Sequence, residues 1–307
     1  MPESGAARSL RVTLTQWHAT RDMASNLRKA SQLLHAAASD RPDLVLLPEN
    51  GLMIGSNDEM RAAALSIDAP EIDQLRRDAR EIRSAVILGG FKHRDRNGSV
   101  HNTALVIDPD GEIAGTYDKI HLFDATIGGQ TFQASRVETA GSQPVIAIIS
   151  GIKVGVTICY DVRFPELFRA LALAGAEAFV VPAAFTFKTG ELQHWEIMLR
   201  ARAIENGAYV LASATIRGRN GAQDAFETWG HAMAVDPWGR VLADLGVDEL
   251  AYKTLKLDLS LIEQARSSLP LLRGVRPNAY ATAPRVFSVG SEGGEGETQQ
   301  THTGAVK

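Results

Sequence analysis

Short apolar runs alternate with stretches of helical periodicity through the first third of the chain. The runs cover residues 10–16, 44–47 and 85–91, and each has the length of a β-strand. Between them, apolar residues recur at helical spacing over residues 23–38 and 72–83. This β-α-β order predicts a layered α/β fold, in which helices cover the faces of a buried sheet.

Turn residues divide the middle of the chain into hairpins. One joins residues 101–107 to 112–117 through the turn Asp108-Pro-Asp-Gly111, and a second joins residues 145–149 to 153–158. The chain then continues as a helix, a strand, a helix, a strand and a final hairpin with one more strand, over residues 165–174, 178–181, 192–206, 209–214, 231–245 and 251–257. Interleaved helices and hairpins predict mixed sheets with helices packed outside them. Periodicity does not give the number of sheets.

The composition is that of an ordinary globular protein. With 45% hydrophobic residues among 307, the chain can bury a large core, and we predict one domain over residues 8–286. Residues 287–307 are rich in Gly, Glu, Ser and Thr, so we expect a disordered tail. A formal net charge of −4, without long blocks of one sign, argues against a nucleic-acid partner. The polar N-terminal segment and the lack of an apolar stretch of ~20 residues predict a cytoplasmic protein without membrane contact.

Cys159 is the only cysteine, which excludes an intramolecular disulfide and a multi-cysteine metal site. The eight histidines form no HExxH motif or close pair, so we expect no metal. Cys159 ends an apolar strand and precedes a predicted helix, where helix N-terminal amides would favour a thiolate. A free cysteine is also among the residue types most often buried in a core, so a catalytic role requires a nearby base.

Two ionisable residues occupy comparable positions at strand ends. Glu49 follows the run at residues 44–47 and Pro48, at the end of a predicted buried strand, where partial desolvation would raise its pKa and suit it to a general base. Lys119 follows a predicted strand, and its ammonium group could stabilise an oxyanion or a thiolate. Each residue taken alone is more often a surface charge or a salt-bridge partner. Because strand ends meet at the rim of an α/β sheet, we interpret Glu49, Lys119 and Cys159 as one candidate site.

Three sequence blocks resemble the catalytic blocks of the nitrilase, or carbon-nitrogen hydrolase, superfamily: LLPEN around Glu49, YDKIHLFD around Lys119 and CYDVRFPELFR around Cys159. The similarity continues through GGF, NTALVIDPDG, HWEIMLRARAIEN, GHAMAVDPWG and RPNAY, at residues 89–91, 102–111, 194–206, 230–239 and 276–280. It therefore covers nearly all of residues 10–280. Within the superfamily, the blocks are most similar to the branch of omega-amidase and deaminated glutathione amidase.

This resemblance implies a four-layer αββα sandwich, paired into a homodimer or higher homo-oligomer, that hydrolyses the terminal amide of a small dicarboxylate-like acid without cofactor or metal. It implies that Glu49 is the general base and that Cys159 attacks the amide carbon. Lys119 and the backbone N–H of Tyr160 would stabilise the oxyanion. Ammonia would leave from a covalent thioester, which water then hydrolyses.

Closeness to the matching segments also indicates five candidate substrate-binding residues: Tyr160, Arg163, Phe185, Thr186 and His194. Arg163 could pair with a substrate carboxylate. It could equally hold Glu166 or Asp161, and Phe185 could belong to the core.

One departure from the family concerns a second glutamate. Many relatives carry it in a motif like F-x-E-S, where it helps position the substrate and the lysine, but this chain has Ala134 at that place in Phe132-Gln-Ala-Ser135. Glu138 is a nearby acid, although its register does not match. A smaller difference is Ala232, where serine is common in this branch.

The identity of the substrate therefore stays open. The same three residues could serve a nitrile, an N-carbamoyl amino acid or an aliphatic amide, because pocket loops set specificity. The loss of the second glutamate also allows a weakly active scaffold that works by binding a partner.

Overall fold

A computed structural model describes residues 8–216 and 227–289 of the protein. The strands in these residues are β1 (Ser9–Trp17), β2 (Leu44–Leu46), β3 (Ala85–Arg94), β4 (Val100–Ile107), β5 (Ile113–Asp118), β6 (Asp124–Ile127), β7 (Gln130–Gln133), β8 (Val145–Ile149), β9 (Ile152–Val156), β10 (Ala178–Val180), β11 (Tyr209–Ala212), β12 (Ala214–Thr215), β13 (Met233–Val235), β14 (Val241–Asp244) and β15 (Leu250–Asp258). The helices are α1 (Met23–Ala37), α2 (Asn57–Ala62), α3 (Pro70–Ile82), α4 (Pro165–Leu173), α5 (Phe187–Glu191), α6 (His194–Asn206), α7 (Ser260–Ser268) and α8 (Pro277–Tyr280). Short 3-10 turns cover Ala38–Asp40, Ala134–Arg136 and Cys159–Arg163.

Thirteen of these strands form two mixed sheets, and β6 and β7 pair separately as a two-stranded sheet. The first has the order β12-β1-β2-β3-β4-β5, with β15 also paired to β1. The second has the order β14-β13-β11-β10-β9-β8. Neighbours among β1, β2 and β3 are parallel, as are those among β9, β10 and β11, whereas the predicted hairpins β4–β5 and β8–β9 are antiparallel. The mixed sheets predicted from the sequence are confirmed.

Side-chain alternation along the strands explains how the layers stack. Leu44 and Leu46 belong to the same buried cluster as Val154 of the second sheet, so this face of the first sheet packs against the second. Val45 lies in the other cluster with Leu34 of α1, on the opposite face. Helix α1 contacts β1 and β15, whereas α6 contacts β11 and β13, so helices cover both outer faces. This arrangement is the predicted four-layer αββα sandwich.

One predicted strand is divided between the two sheets. Residues 209–214 were expected as a single strand, but β11 lies in the second sheet and β12 in the first. Ser213 stands at the crossing, where its hydroxyl donates to the Leu46 carbonyl at 2.7 Å and accepts from the Thr15 N–H at 2.9 Å. Both strands and Ser213 between them are buried, so burial alone does not reveal the change of sheet.

The helix predicted over residues 192–206 begins two residues later. Gln193 has a left-handed backbone with φ of 64°, which separates α6 from the short α5. The hairpin of β6 and β7 was not predicted, because its residues 124–133 show little apolar alternation.

The chain divides into two units, residues 1–273 and 274–307. The first contains both sheets, and the described part of the second contains α8. Residues 290–307 of the predicted tail lie outside the described residues. A single domain over residues 8–286 stays a prediction. Across the described residues, every helix is too short or too polar to cross a membrane.

Candidate active site

The ends of three strands bring Glu49, Lys119 and Cys159 to one pocket. Glu49 follows β2, and Lys119 follows β5, where its backbone N–H donates to the Asn102 carbonyl at 2.8 Å. Cys159 follows β9, and its N–H donates to the Pro182 carbonyl at 2.9 Å. The strand ends that the sequence singled out therefore do meet, at the edge where both sheets contribute.

The Glu49 carboxylate is the centre of the polar contacts. Its Oε1 accepts from Lys119 Nζ at 2.8 Å and from Asn102 Nδ2 at 2.9 Å, and its Oε2 accepts from the Ala184 N–H at 2.9 Å. Burial opposes ionisation of Glu49, but the charges of Lys119 and Lys92 and the hydrogen bonds from Lys119 and Ala184 outweigh it and hold its pKa below the ordinary value. The raised pKa expected from the sequence is wrong, because partners that follow the other strand ends stabilise the carboxylate.

A glycine permits this close packing. Gly90 has a φ of +57°, and a Cβ at this position would lie 2.8 Å from Glu49 Cγ and 2.7 Å from Asn102 Oδ1. Both distances are shorter than a carbon atom tolerates, and the left-handed backbone also favours glycine. The second glycine of the GGF block therefore makes room for the Glu49 side chain.

The backbone of Cys159 is left-handed, with φ of 44°, at the start of a 3-10 turn. The buried carboxylate of Asp161 holds this turn by accepting from the Ile158 N–H at 2.8 Å and the Tyr117 hydroxyl at 2.7 Å. His121 Nδ1 lies 2.7 Å from the same carboxylate. These contacts secure a conformation that a non-glycine residue rarely adopts.

The Cys159 side chain is held in its thiol form. Burial raises its pKa well above the ordinary value, and the charge of Glu49 and a hydrogen bond to it raise the pKa further, while Lys119 opposes them in part. The thiolate expected from a helix N-terminus is therefore wrong for the resting site. The residue begins a 3-10 turn rather than α4, and burial together with the Glu49 carboxylate favours the neutral thiol.

Lys119 carries a positive charge, opposite to that of Glu49. Its burial disfavours the ammonium form, but Glu49, Cys159 and Glu138 outweigh burial and raise its pKa above the ordinary value. The pocket thus presents a thiol, a carboxylate and an ammonium group, the last two 2.8 Å apart.

The cavity volume of this pocket is about 60 Å³. It is lined by Glu49, Asn50, Asn57, Met60, Lys92, Asn102, Lys119, Phe123, Phe132, Ala134, Glu138, Cys159, Tyr160, Arg163, Ala184, Phe185 and Thr186. Four of the five predicted substrate-binding residues are in this set, and His194 is not. The Tyr160 N–H meets no backbone acceptor in the described part of the chain, so it is available to a ligand.

Arg163 is a cation placed between aromatic rings. Its guanidinium carbon lies 5.4 Å from the centre of the Phe185 ring and 6.0 Å from that of Tyr160. Its Nη1 donates to His194 Nδ1 at 3.3 Å, since a guanidinium group cannot accept. Within residues 8–216 and 227–289 no carboxylate forms an ion pair with it, so Glu166 and Asp161 do not hold it.

Sequence reasoning missed a second ion pair in the same pocket. Lys92 Nζ lies 2.6 Å from Glu138 Oε1, and both side chains are buried. Glu138 is an acid out of register with the family motif, but nothing in the sequence pointed to Lys92.

The lysine contacts also make the pocket unsuitable for a divalent cation, because each carboxylate is already neutralised by an ammonium group.

Comparisons with known proteins show which family the chain is similar to. The model of the carbon-nitrogen hydrolase family matches residues 11–267. The chain is 37% identical over 258 residues to deaminated glutathione amidase of Synechocystis, covering 82% of this chain and 93% of the relative. It is 38% identical over 277 residues to the chloroplastic omega-amidase of Arabidopsis thaliana, covering 88% and 73%. The crystal structure of the Caenorhabditis elegans NitFhit protein superposes with a TM-score of 0.82 at 33% identity, covering 90% of this chain and 67% of that one.

Proposed function

The chain belongs to the carbon-nitrogen hydrolase family, and from that membership we propose that it is an amidase that hydrolyses the carboxamide of a small carboxylic acid through a thioester on Cys159. The observation that carries the proposal is that the buried ion pair of Glu49 and Lys119, with 2.8 Å between its charged atoms, lines one pocket with Cys159. A nucleophile, a base and a cation in one pocket are the parts that acyl transfer needs. The relatives named as amidases support the same reaction class.

In the first half of the reaction, the thiol must lose its proton as it attacks. Because the pKa of Cys159 is raised and that of Glu49 is lowered, the proton rests on sulfur and moves to the Glu49 carboxylate during attack on the amide carbon. The oxyanion forms beside the Lys119 ammonium group and the Tyr160 N–H. Glu49 then returns the proton to the amide nitrogen, the C–N bond breaks, and ammonia leaves the thioester.

In the second half, water replaces ammonia in the pocket. Glu49 removes a proton from this water, whose oxygen attacks the thioester carbon, and the C–S bond breaks to release the carboxylic acid. The proton returns from Glu49 to the Cys159 sulfur. One carboxylate thus serves both steps. The hydrogen bonds that it accepts from Asn102 and Ala184 keep it in a fixed orientation.

The charges of the pocket support a substrate that carries one carboxylate away from the amide. Lys119 is paired with Glu49 and Lys92 with Glu138, so Arg163 is the cation that a substrate carboxylate would neutralise. The aromatic rings of Phe123, Tyr160 and Phe185 would cover a short aliphatic chain between the two ends.

We expect Arg163→Gln to weaken binding of charged amides selectively. A charge-assisted hydrogen bond is lost, which corresponds to a KM for succinamate about 10- to 100-fold higher, whereas butyramide, which lacks the carboxylate, should bind as before. Steady-state kinetics of ammonia release would measure both. Arg200→Gln, which changes an exposed arginine of α6 paired with Glu196, is the matched control. Equal effects on the two amides would contradict a carboxylate-binding role.

The first test is ammonia release from a panel of small amides, which should include deaminated glutathione and ω-amides of short dicarboxylic acids. Turnover of at least one, absent in Cys159→Ala, is the expected result. Release from nitriles or N-carbamoyl amino acids alone would replace the amidase assignment with those substrates. A panel without turnover, combined with an unreactive Cys159, would favour the binding scaffold.

We also propose that the protein is a cytoplasmic homodimer or higher homo-oligomer. Apolar side chains exposed on α4 and α6, Leu173, Ile197 and Ile204, support an interface on the outer helical face. The molar mass in solution, measured by light scattering, would test the oligomeric state.

A further inference from the structure

The Lys92–Glu138 ion pair lies in the catalytic pocket, but the proposed reaction does not use it. The two side chains are 8% and 3% exposed, and their charged atoms are 2.6 Å apart. Both line the pocket that contains Cys159. A buried ion pair contributes little net stability, because removing two charges from water offsets most of their attraction. Its location beside the reacting groups therefore calls for a functional explanation.

Strand β4 connects this pair to Glu49 and Lys119. Lys92 on β3 is directly opposite Asn102 in the register of β3 and β4. Asn102 in turn donates its amide to Glu49 and accepts the backbone N–H of Lys119. One residue of β4 thus fixes the spacing between Lys92 and the first ion pair.

The backbone around Glu138 is held in the same way. Its N–H donates to the Ala134 carbonyl at 2.9 Å, and the next residue, Thr139, donates to the Val100 carbonyl of β4 at 2.7 Å. Gly141 N–H donates to the Lys119 carbonyl at 2.9 Å. The segment that carries Glu138 is therefore bonded to both β4 and the catalytic lysine.

We propose that Lys92 and Glu138 are positioning residues, in which Lys92 keeps Glu49 in its proton-accepting form and Glu138 neutralises and holds Lys92. This inference rests on the proposed function, since it assumes that Glu49 is the base for Cys159. The charge of Lys92 is one of the causes that lower the pKa of Glu49, and the charge of Glu138 contributes to the raised pKa of Lys119. The second pair thus acts on both members of the first.

The charged groups that face Cys159 come from five segments of the chain. They are Glu49 after β2, Lys92 on β3, Lys119 after β5, Glu138 after the 3-10 turn Ala134–Arg136, and Arg163 at the end of the turn that begins at Cys159. Removing both Lys92 and Glu138 charges leaves the net charge of the protein unchanged. A change in the pKa of Glu49 would therefore show that the two charges act on Glu49 with unequal strength.

The test measures the rate at which iodoacetamide alkylates Cys159 as a function of pH. Between the pKa values of Glu49 and Cys159, the two groups share one proton and the rate should be constant; it should fall once Glu49 is protonated. In the unchanged protein this fall should occur below pH 4.5, the ordinary pKa of the carboxyl group. In Lys92→Met/Glu138→Gln we expect it at a pH higher by on the order of one unit.

Glu138→Gln alone is the matched control. It also removes the ion pair but keeps the charge of Lys92, so the fall should occur at the same pH as in the unchanged protein, or lower. If the pair served packing alone, the single and double variants would alkylate with the same pH dependence, and that result would overturn the proposal. Thermal unfolding of each variant verifies that it is folded.

The readout needs no substrate, which separates this inference from the proposed function. A shifted profile combined with silence across the amide panel would leave the positioning role standing and remove the amidase assignment. Amide turnover, combined with identical pH profiles in the single and double variants, would support the amidase assignment and overturn the positioning role.

Discussion

Replacing Cys159 with alanine is expected to lower ammonia release from any amide substrate by about four orders of magnitude or more, because loss of a covalent nucleophile leaves only the contribution of binding and oxyanion stabilisation. The fold should be unaffected. Alanine keeps the Cβ that cysteine has, so the left-handed backbone with φ of 44° is no more strained than before. The hydrogen bonds of Asp161 that hold the turn do not involve the sulfur atom.

The single cysteine makes this experiment unambiguous. Thiol titration should give one reactive group in the unchanged protein and none in Cys159→Ala. The midpoint of thermal unfolding reports whether the variant is folded. Ammonia release at a comparable rate by the folded variant would end the thioester mechanism, since no second thiol could replace the first.

The sequence predicted most of the fold because apolar periodicity reflects burial. The strands of the first sheet, such as β2 and β3, are buried on both faces, and their continuous apolar runs are typical of parallel strands. The same property hid the boundary at Ser213, where the chain passes from one sheet to the other without a break in burial, because Ser213 itself is fully buried. Pairing partners are set by distant segments, so a local pattern cannot contain them.

The site was predicted in position but not in electrostatics. Strand ends indicated where Glu49, Lys119 and Cys159 lie, and the structure brings them together. The pKa directions expected for Glu49 and Cys159 were both wrong. Burial and the neighbouring Glu49 carboxylate raise the pKa of Cys159, whereas the charges of Lys119 and Lys92 outweigh burial and lower the pKa of Glu49. A pKa follows from the distances between side chains, which spacing along the chain does not give.

Replacing Glu49 with glutamine should lower kcat for ammonia release by about 10²- to 10⁴-fold, the range associated with loss of a general base. Glutamine preserves the size of the side chain and can still accept from Asn102, but it cannot take the thiol proton. The substitution should also destabilise the protein by about 3–5 kcal/mol, because it leaves the buried Lys119 ammonium group without an anion. Urea unfolding and steady-state kinetics would measure the two effects.

The double variant Glu49→Gln/Lys119→Met separates stability from catalysis. Removing both charges takes away the uncompensated ammonium group, so the free energy of unfolding should recover most of what Glu49→Gln loses. Turnover should not recover, because the base is still missing and the oxyanion has also lost a donor. If activity returned together with stability, the loss in Glu49→Gln would be a folding defect and Glu49 would not be the base. The prediction is therefore that the double variant regains stability but not turnover. The 2.8 Å contact between the Glu49 carboxylate and the Lys119 ammonium group is the reason that one charge can be removed to compensate for loss of the other.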